Sequence, residues 1–162
     1  MIRQVLAAAA LLCTSPTFPV HTTKEGETSK PEARPFDAKA DARAQVDMAL
    51  ARAKSGNHMV MIVMGANWCH DSRALAGWLV RPRFAAMLAS RYELVFVDVG
   101  YKNHNIDIAH RFGLKSIKGT PTVMIVDGNR RLLNKKDAPM WRNAGSRSGD
   151  AIYRALAEFT PA

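Results

Sequence analysis

Three short apolar runs constrain this chain more than any other feature of it. Met59–Met64 is wholly apolar and ends at Gly65, Leu94–Val99 is apolar except for Asp98, and Thr122–Val126 follows the same pattern. Runs of this length are too short for buried helices and fit strands covered on both faces. Such strands need helices above and below them, and the intervening sequence supplies helical stripes. Ala42, Val46, Ala49, Leu50 and Ala53 recur at helical spacing before Gly56–Asn57 stops the pattern. Ala74, Leu75, Trp78 and Leu79 form a second stripe, broken by Pro82, after which Phe84, Met87 and Leu88 continue a further helical piece. Ile106–Phe112 reads as a short helix closed by Gly113, and Ser148 is placed to cap a last helix carrying Ile152, Leu156 and Phe159.

After the third run, Asp127–Gly128 is a hairpin signal, with Arg130–Leu133 as a returning fourth strand. Strands joined through helices imply parallel pairing, and the terminal hairpin implies an antiparallel edge. The fold class is therefore α/β, a central mixed β-sheet flanked by helices. Trp78 and Trp141 are read as core or cover residues.

The N-terminus has a different character. Arg3 is the only charged residue before Lys24, and Val5–Cys13 is an uncharged apolar run followed by Thr14, Ser15 and Pro16. A basic start, a short apolar core and small residues after it are the parts of a secretory signal peptide, expected over residues 1–15. Cleavage before Cys13 with lipidation there is the lesser alternative. No run reaches the roughly 18 residues of a membrane-spanning helix. Residues 16–36, with Pro16, Pro19, Pro31 and Pro35, read as a flexible linker, and residues 37–160 as the folded domain. The chain has two cysteines, too few for a disulfide scaffold or a four-cysteine zinc site. Removal of the leader takes Cys13 away and leaves Cys69, which is then either a buried apolar residue or a reactive free thiol.

Cys69 stands in Trp68–Cys69–His70–Asp71–Ser72, between a buried strand and a helix. A cysteine at a first helical turn faces unpaired N–H groups and the positive end of the helix dipole, which favour the nucleophilic thiolate. Protonated His70 would act in the same direction and Asp71 against it. Ser72, one turn on, either donates a hydrogen bond to the sulfur or serves simply as a helix-start residue. Gly119–Thr120–Pro121–Thr122 precedes the third strand, where a cis peptide bond before Pro121 is expected.

Trp68–Cys69–x–x–Ser72, followed by Gly119–Thr120–Pro121–Thr122 in this element order, resembles the thioredoxin superfamily over residues 37–160. The lead-in Gly65–Ala66–Asn67–Trp68–Cys69 and the strand Val97–Asp98–Val99–Gly100 look most like its exported bacterial members. The resemblance implies a thioredoxin-like fold and a periplasmic location. It makes Cys69 the nucleophile and Ser72 the occupant of the resolving-cysteine position. Pro121 becomes the cis-proline, with Trp68, Thr120 and Pro121 on the substrate side. Two departures accompany it. Ser72 replaces the second cysteine, and Met61–Met64 lack the buried acid that serves proton transfer in thioredoxin itself.

A lone thiol of this kind can form a mixed disulfide but cannot close an internal one. Release of the partner then needs glutathione, another protein thiol or a second cysteine on the substrate. The primary expectation is a monothiol thiol–disulfide exchange protein, reducing or isomerising protein or small-molecule disulfides, with no bound cofactor or metal. The alternative is a non-catalytic binding or chaperone-like module using the same groove. His104 and His110 have no common metal-ligand spacing and read as surface residues.

The chain carries a formal charge of +9. Lys115 and Lys118 precede Pro121, and Arg130, Arg131, Lys135 and Lys136 cluster around the expected hairpin. Charges there either guard a sheet edge or face an anionic partner, such as an acidic protein segment or a lipid headgroup. Nucleic acid is not expected, because no aromatics interleave the basic residues.

Overall fold

A computed structural model describes residues 30–161. The expected signal peptide, Cys13 and residues 16–29 of the expected linker lie outside them. The elements run α1 (Ala42–Gly56), β1 (Met59–Gly65), α2 (His70–Leu79), α3 (Pro82–Arg91), β2 (Tyr92–Asp98), α4 (Ile106–Arg111), β3 (Thr122–Val126), a 3₁₀ segment (Ala138–Ser146) and α5 (Gly149–Ala157). Among the described residues no helix is long and apolar enough to cross a membrane.

Sequence explains most of the boundaries. Asp41 caps α1 by accepting from the Ala44 N–H, and Asn57 ends that helix in the left-handed conformation at φ 53°. Pro82 stands at the first turn of α3, where its missing N–H costs nothing. Ser148 caps α5 by accepting from the Ala151 N–H.

The sheet has the order β2-β1-β3. Every residue of β1 is buried. Its odd positions, Met59, Met61 and Val63, pack with α2, α3 and α5 on one face. Its even positions, Val60, Ile62 and Met64, pack with α1 and α4 on the other. This is the physical content of the uninterrupted apolar run: a period of two with both faces covered.

β2 runs parallel to β1, with Gly65 opposite Asp98. β3 runs antiparallel to β1, with Met64 opposite Thr122. The parallel pairing expected of the third strand is thus replaced by the antiparallel one. The six residues of α4 rise only about 9 Å, against about 23 Å for a seven-residue strand, and the chain re-enters the sheet near the end where β2 left it. The expected fourth strand is also absent as a strand. Its return is a single bridge between Val126 and Leu132. Beyond it, the Asn134 side chain takes the place of a strand backbone, accepting from the Ile125 N–H at 2.9 Å and donating to the Val123 carbonyl at 2.8 Å.

The linker boundary needs correction as well. Residues 31–36 lie against the domain as a strap across α2. Ala33 N–H donates to the Arg73 carbonyl, and Phe36 exchanges backbone hydrogen bonds with the Asn67 side chain. The Phe36 ring is 3% exposed and meets Phe96 edge-on at 5.5 Å. Gly77 lets the strap pass, since a Cβ there would come within 2.4 Å of the Pro31 backbone. The prolines exclude helix, but the extended segment they enforce carries one aromatic side chain into the core.

Candidate functional site

The antiparallel entry of β3 brings three chain segments to one end of the sheet: the β1–α2 turn, the loop after β2 and the loop before β3. Cys69 is the N-cap of α2, in an extended conformation, with its N–H on the Ala66 carbonyl and its own carbonyl accepting from Arg73. It is a free cysteine, 9% exposed. Its thiol donates to the Thr120 carbonyl at 3.3 Å. The Thr120–Pro121 peptide bond is cis. The Thr122 hydroxyl donates to the Gly119 carbonyl at 2.8 Å and braces the same loop. Cys69, Thr120 and Pro121, far apart in sequence, are thereby adjacent.

The structure places the other three residues differently. Ser72 is fully buried, and its hydroxyl has no hydrogen-bond partner among the described residues. Of the two roles open to Ser72, the hydrogen bond to the sulfur is not made, and Ser72 stands as a residue of the first turn of α2. Cys69 precedes the helix with extended backbone angles, which turn its sulfur to Thr120. Ser72 is the third residue inside α2 and points under the end of β1. It flanks Gly65, where a Cβ would come within 2.7 Å of both the Ser72 hydroxyl and the Phe36 ring.

His70 faces the strap. Its Nδ1 lies 3.0 Å from Glu32 Oε1, and Arg73 Nε donates to Glu32 Oε2 at 3.0 Å. The hydrogen bond from Arg73 holds the Glu32 carboxyl below its ordinary range; the smaller contribution of His70 acts in the same direction.

Trp68 is 49% exposed and donates its indole N–H to the Gly100 carbonyl at 3.0 Å. Its ring stacks on Tyr101, itself 79% exposed, at 5.5 Å and 14°. The pair forms an apolar ledge at the residue next to Cys69.

Sequence reasoning missed Glu32, Asp71 as an anchor, and Tyr101. Asp71 Oδ1 accepts from the Gly145 N–H at 2.7 Å and ties the start of α2 to the 3₁₀ segment. Glu32 lies in a proline-rich stretch without periodicity and gives no local signal. Tyr101 follows a strand-ending glycine, and only the tertiary fold lays it against Trp68.

Among the described residues no group of three or more His, Cys, Asp and Glu side chains is placed to hold a metal ion. His104 Nδ1 lies 3.8 Å from Asp98 Oδ1, and the His110 ring bonds the Lys115 carbonyl.

A family model described as thioredoxin-like matches residues 41–128. The crystal structure of a disulphide isomerase from Xylella fastidiosa Temecula1 is 32% identical, with a TM-score of 0.73, covering 78% of this chain and 96% of that one. A protein of unknown function from Pseudomonas aeruginosa is 19% identical at a TM-score of 0.40, covering 73% of this chain and 83% of its own, a likeness too low to carry an argument. Comparison with curated proteins gives no match.

Proposed function

The chain belongs to the thioredoxin-like family, and from that premise we propose that it is an exported monothiol protein that rearranges disulfides through a mixed disulfide on Cys69. The observation that carries this reading is the contact of the Cys69 thiol with the Thr120 carbonyl beside the cis Thr120–Pro121 bond. A nucleophilic sulfur and a backbone segment able to hold a client chain stand together there. The 32% identity to a protein described as a disulphide isomerase supports the same chemistry.

The steps follow from one thiol per domain. Cys69 loses its proton to solvent, and with it the donor that binds Thr120. The first-turn N–H groups of α2 remain to face the anion. The thiolate attacks one sulfur of a client disulfide. A Cys69–client S–S bond forms, the client S–S bond breaks, and the second client sulfur leaves as a thiolate that takes up a proton. A different client thiolate then attacks the mixed disulfide, forms a new client disulfide and returns Cys69 as thiolate. The cycle is electron-neutral, so isomerisation needs no external reductant. Net reduction would need an outside thiol such as glutathione, because Ser72 offers no second sulfur. Trp68 and Tyr101 supply an apolar surface for the client beside the reacting atom. Export to the periplasm rests on the pattern of residues 1–15.

The test is recovery of a scrambled disulfide protein under thiol-free conditions after one priming equivalent of reductant. The native protein is expected to restore native pairing and to give a trappable covalent complex. Cys69→Ser is expected to do neither. Equal recovery by Cys69→Ser would overturn the proposal and identify a binding module that assists refolding without exchange.

A further inference from the structure

Beside the loop that carries Thr120 lies a cavity of about 320 Å³. Leu114, Pro139 and Thr122 are its less exposed walls, and four exposed lysines, Lys115, Lys118, Lys135 and Lys136, line it together with Gly113 and Ser116. Two segments about twenty residues apart in sequence contribute two lysines each. Among the described residues none of these four side chains makes an ion pair. Arg131, expected as part of the same basic cluster, is by contrast paired with Asp127 at 3.1 Å.

Protection of a sheet edge does not account for the lysines. The outer edge of β3 is already occupied: Leu133 N–H donates to Ile125, Asp127 N–H to Arg131, and Asn134 bonds both Ile125 and Val123. Four uncompensated positive charges on a concave, partly apolar lining therefore remain as a recognition feature.

We infer that this cavity receives a carboxylate-rich polypeptide segment, and that disulfide-bearing clients carrying acidic residues near the reacting cysteine are preferred. Lysine suits this ligand. Its ammonium is a compact charge on a flexible stem and accepts carboxylates at varied angles, whereas an arginine fork imposes one geometry. Leu114 and Pro139 accept the apolar part of such a segment. The cavity also lies close to the chemistry. Lys118 and Thr122 are each two residues from Thr120, hence at most about 7 Å along the chain, and the Thr120 carbonyl touches the sulfur at 3.3 Å. A client extended over this loop covers that distance in about three residues, which places the preferred acidic residue three or four positions from its cysteine. The client part of the inference rests on the exchange reading; the binding of an acidic segment does not.

The experiment uses a fluorescein-labelled, cysteine-free octapeptide of alternating Glu and Ala, titrated by anisotropy, with its Gln counterpart as reference. The protein is expected to bind the Glu peptide at least tenfold more tightly than the Gln peptide. The fourfold variant Lys115→Gln, Lys118→Gln, Lys135→Gln, Lys136→Gln is expected to lose that preference. A fourfold variant outside the cavity, Lys39→Gln, Lys54→Gln, Arg81→Gln, Arg154→Gln, removes the same charge and is expected to change affinity less than twofold. Equal loss in both variants would reduce the effect to overall charge and overturn the assignment. Displacement of the peptide by an equimolar amount of inorganic phosphate would do so too, making this a phosphate site. Because the peptide has no sulfur, Cys69→Ser is expected to bind it unchanged, so an inert Cys69 and an empty lysine cavity are separate failures.

Discussion

Phe36→Ala is the sharpest perturbation of this fold, because the prolines around Phe36 make it look like linker. Its ring is 3% exposed, packs within the same cluster as Met61, Val63 and Leu75, and meets Phe96 edge-on at 5.5 Å. Removing it forfeits about 2–3 kcal/mol of transfer free energy for a buried aromatic, and about 0.5–1.5 kcal/mol more for the ring pair. Collapse of the strap into the void is restrained, since Phe36 N–H and C=O are both tied to the Asn67 side chain and Ala33 is tied to Arg73. The expected loss is therefore about 3–4 kcal/mol, in the range measured for Phe-to-Ala changes in cores. At roughly 3 °C per kcal/mol for a domain of this size, the melting temperature is expected to fall by about 10 °C. Urea unfolding followed by circular dichroism reads the free energy directly, with the m-value as a check on two-state behaviour. A loss below about 0.5 kcal/mol, the range of ordinary surface substitutions, would refute the reasoning and return residues 31–36 to the linker. Truncation to start at Asp37 is the companion experiment and is expected to cost at least as much.

Ser72→Ala removes a buried hydroxyl that has no partner among the described residues, so stability is expected to rise by about 1 kcal/mol while the alkylation rate of Cys69 stays unchanged. A slowed alkylation would show that Ser72 donates to the thiolate after all. Asn134→Ala strips Val123 and Ile125 of their partners at the outer edge of β3 and is expected to cost about 3 kcal/mol, read by urea unfolding. The lowered Glu32 value gives the strap a defined pH dependence. A carboxyl whose folded value is depressed contributes stability above its ordinary value of 4.5 and loses it as pH falls through the lowered one. Limited proteolysis at Arg34 is therefore expected to stay slow at neutral pH and to quicken in acid below the usual glutamate range. Glu32→Gln should abolish that acid step.

Much of this arrangement is legible in the residues themselves. Three short, mainly apolar runs fit strands, of which β1 and β3 are buried along their whole length, and the helical stripes, Asp41, Pro82 and Ser148 mark the elements around them, because period and capping are local chemistry. Trp68–Cys69 and Thr120–Pro121 are likewise readable as a pair, since the turn before α2 and the entry to β3 belong to one family pattern. What sequence could not decide is direction and contact. The orientation of β3 depends on how far α4 carries the chain, and the fate of the fourth strand depends on Asn134 reaching back to a neighbouring backbone. Ser72 is at helical spacing from Cys69, yet its hydroxyl turns under β1 while the sulfur turns to Thr120, because one residue is inside the helix and the other precedes it. The strap of residues 31–36, the Trp68–Tyr101 ledge and the four-lysine cavity each join segments that share no local pattern. Local propensity and period are properties of neighbours in the chain. These last features exist only where long-range packing brings non-neighbours together.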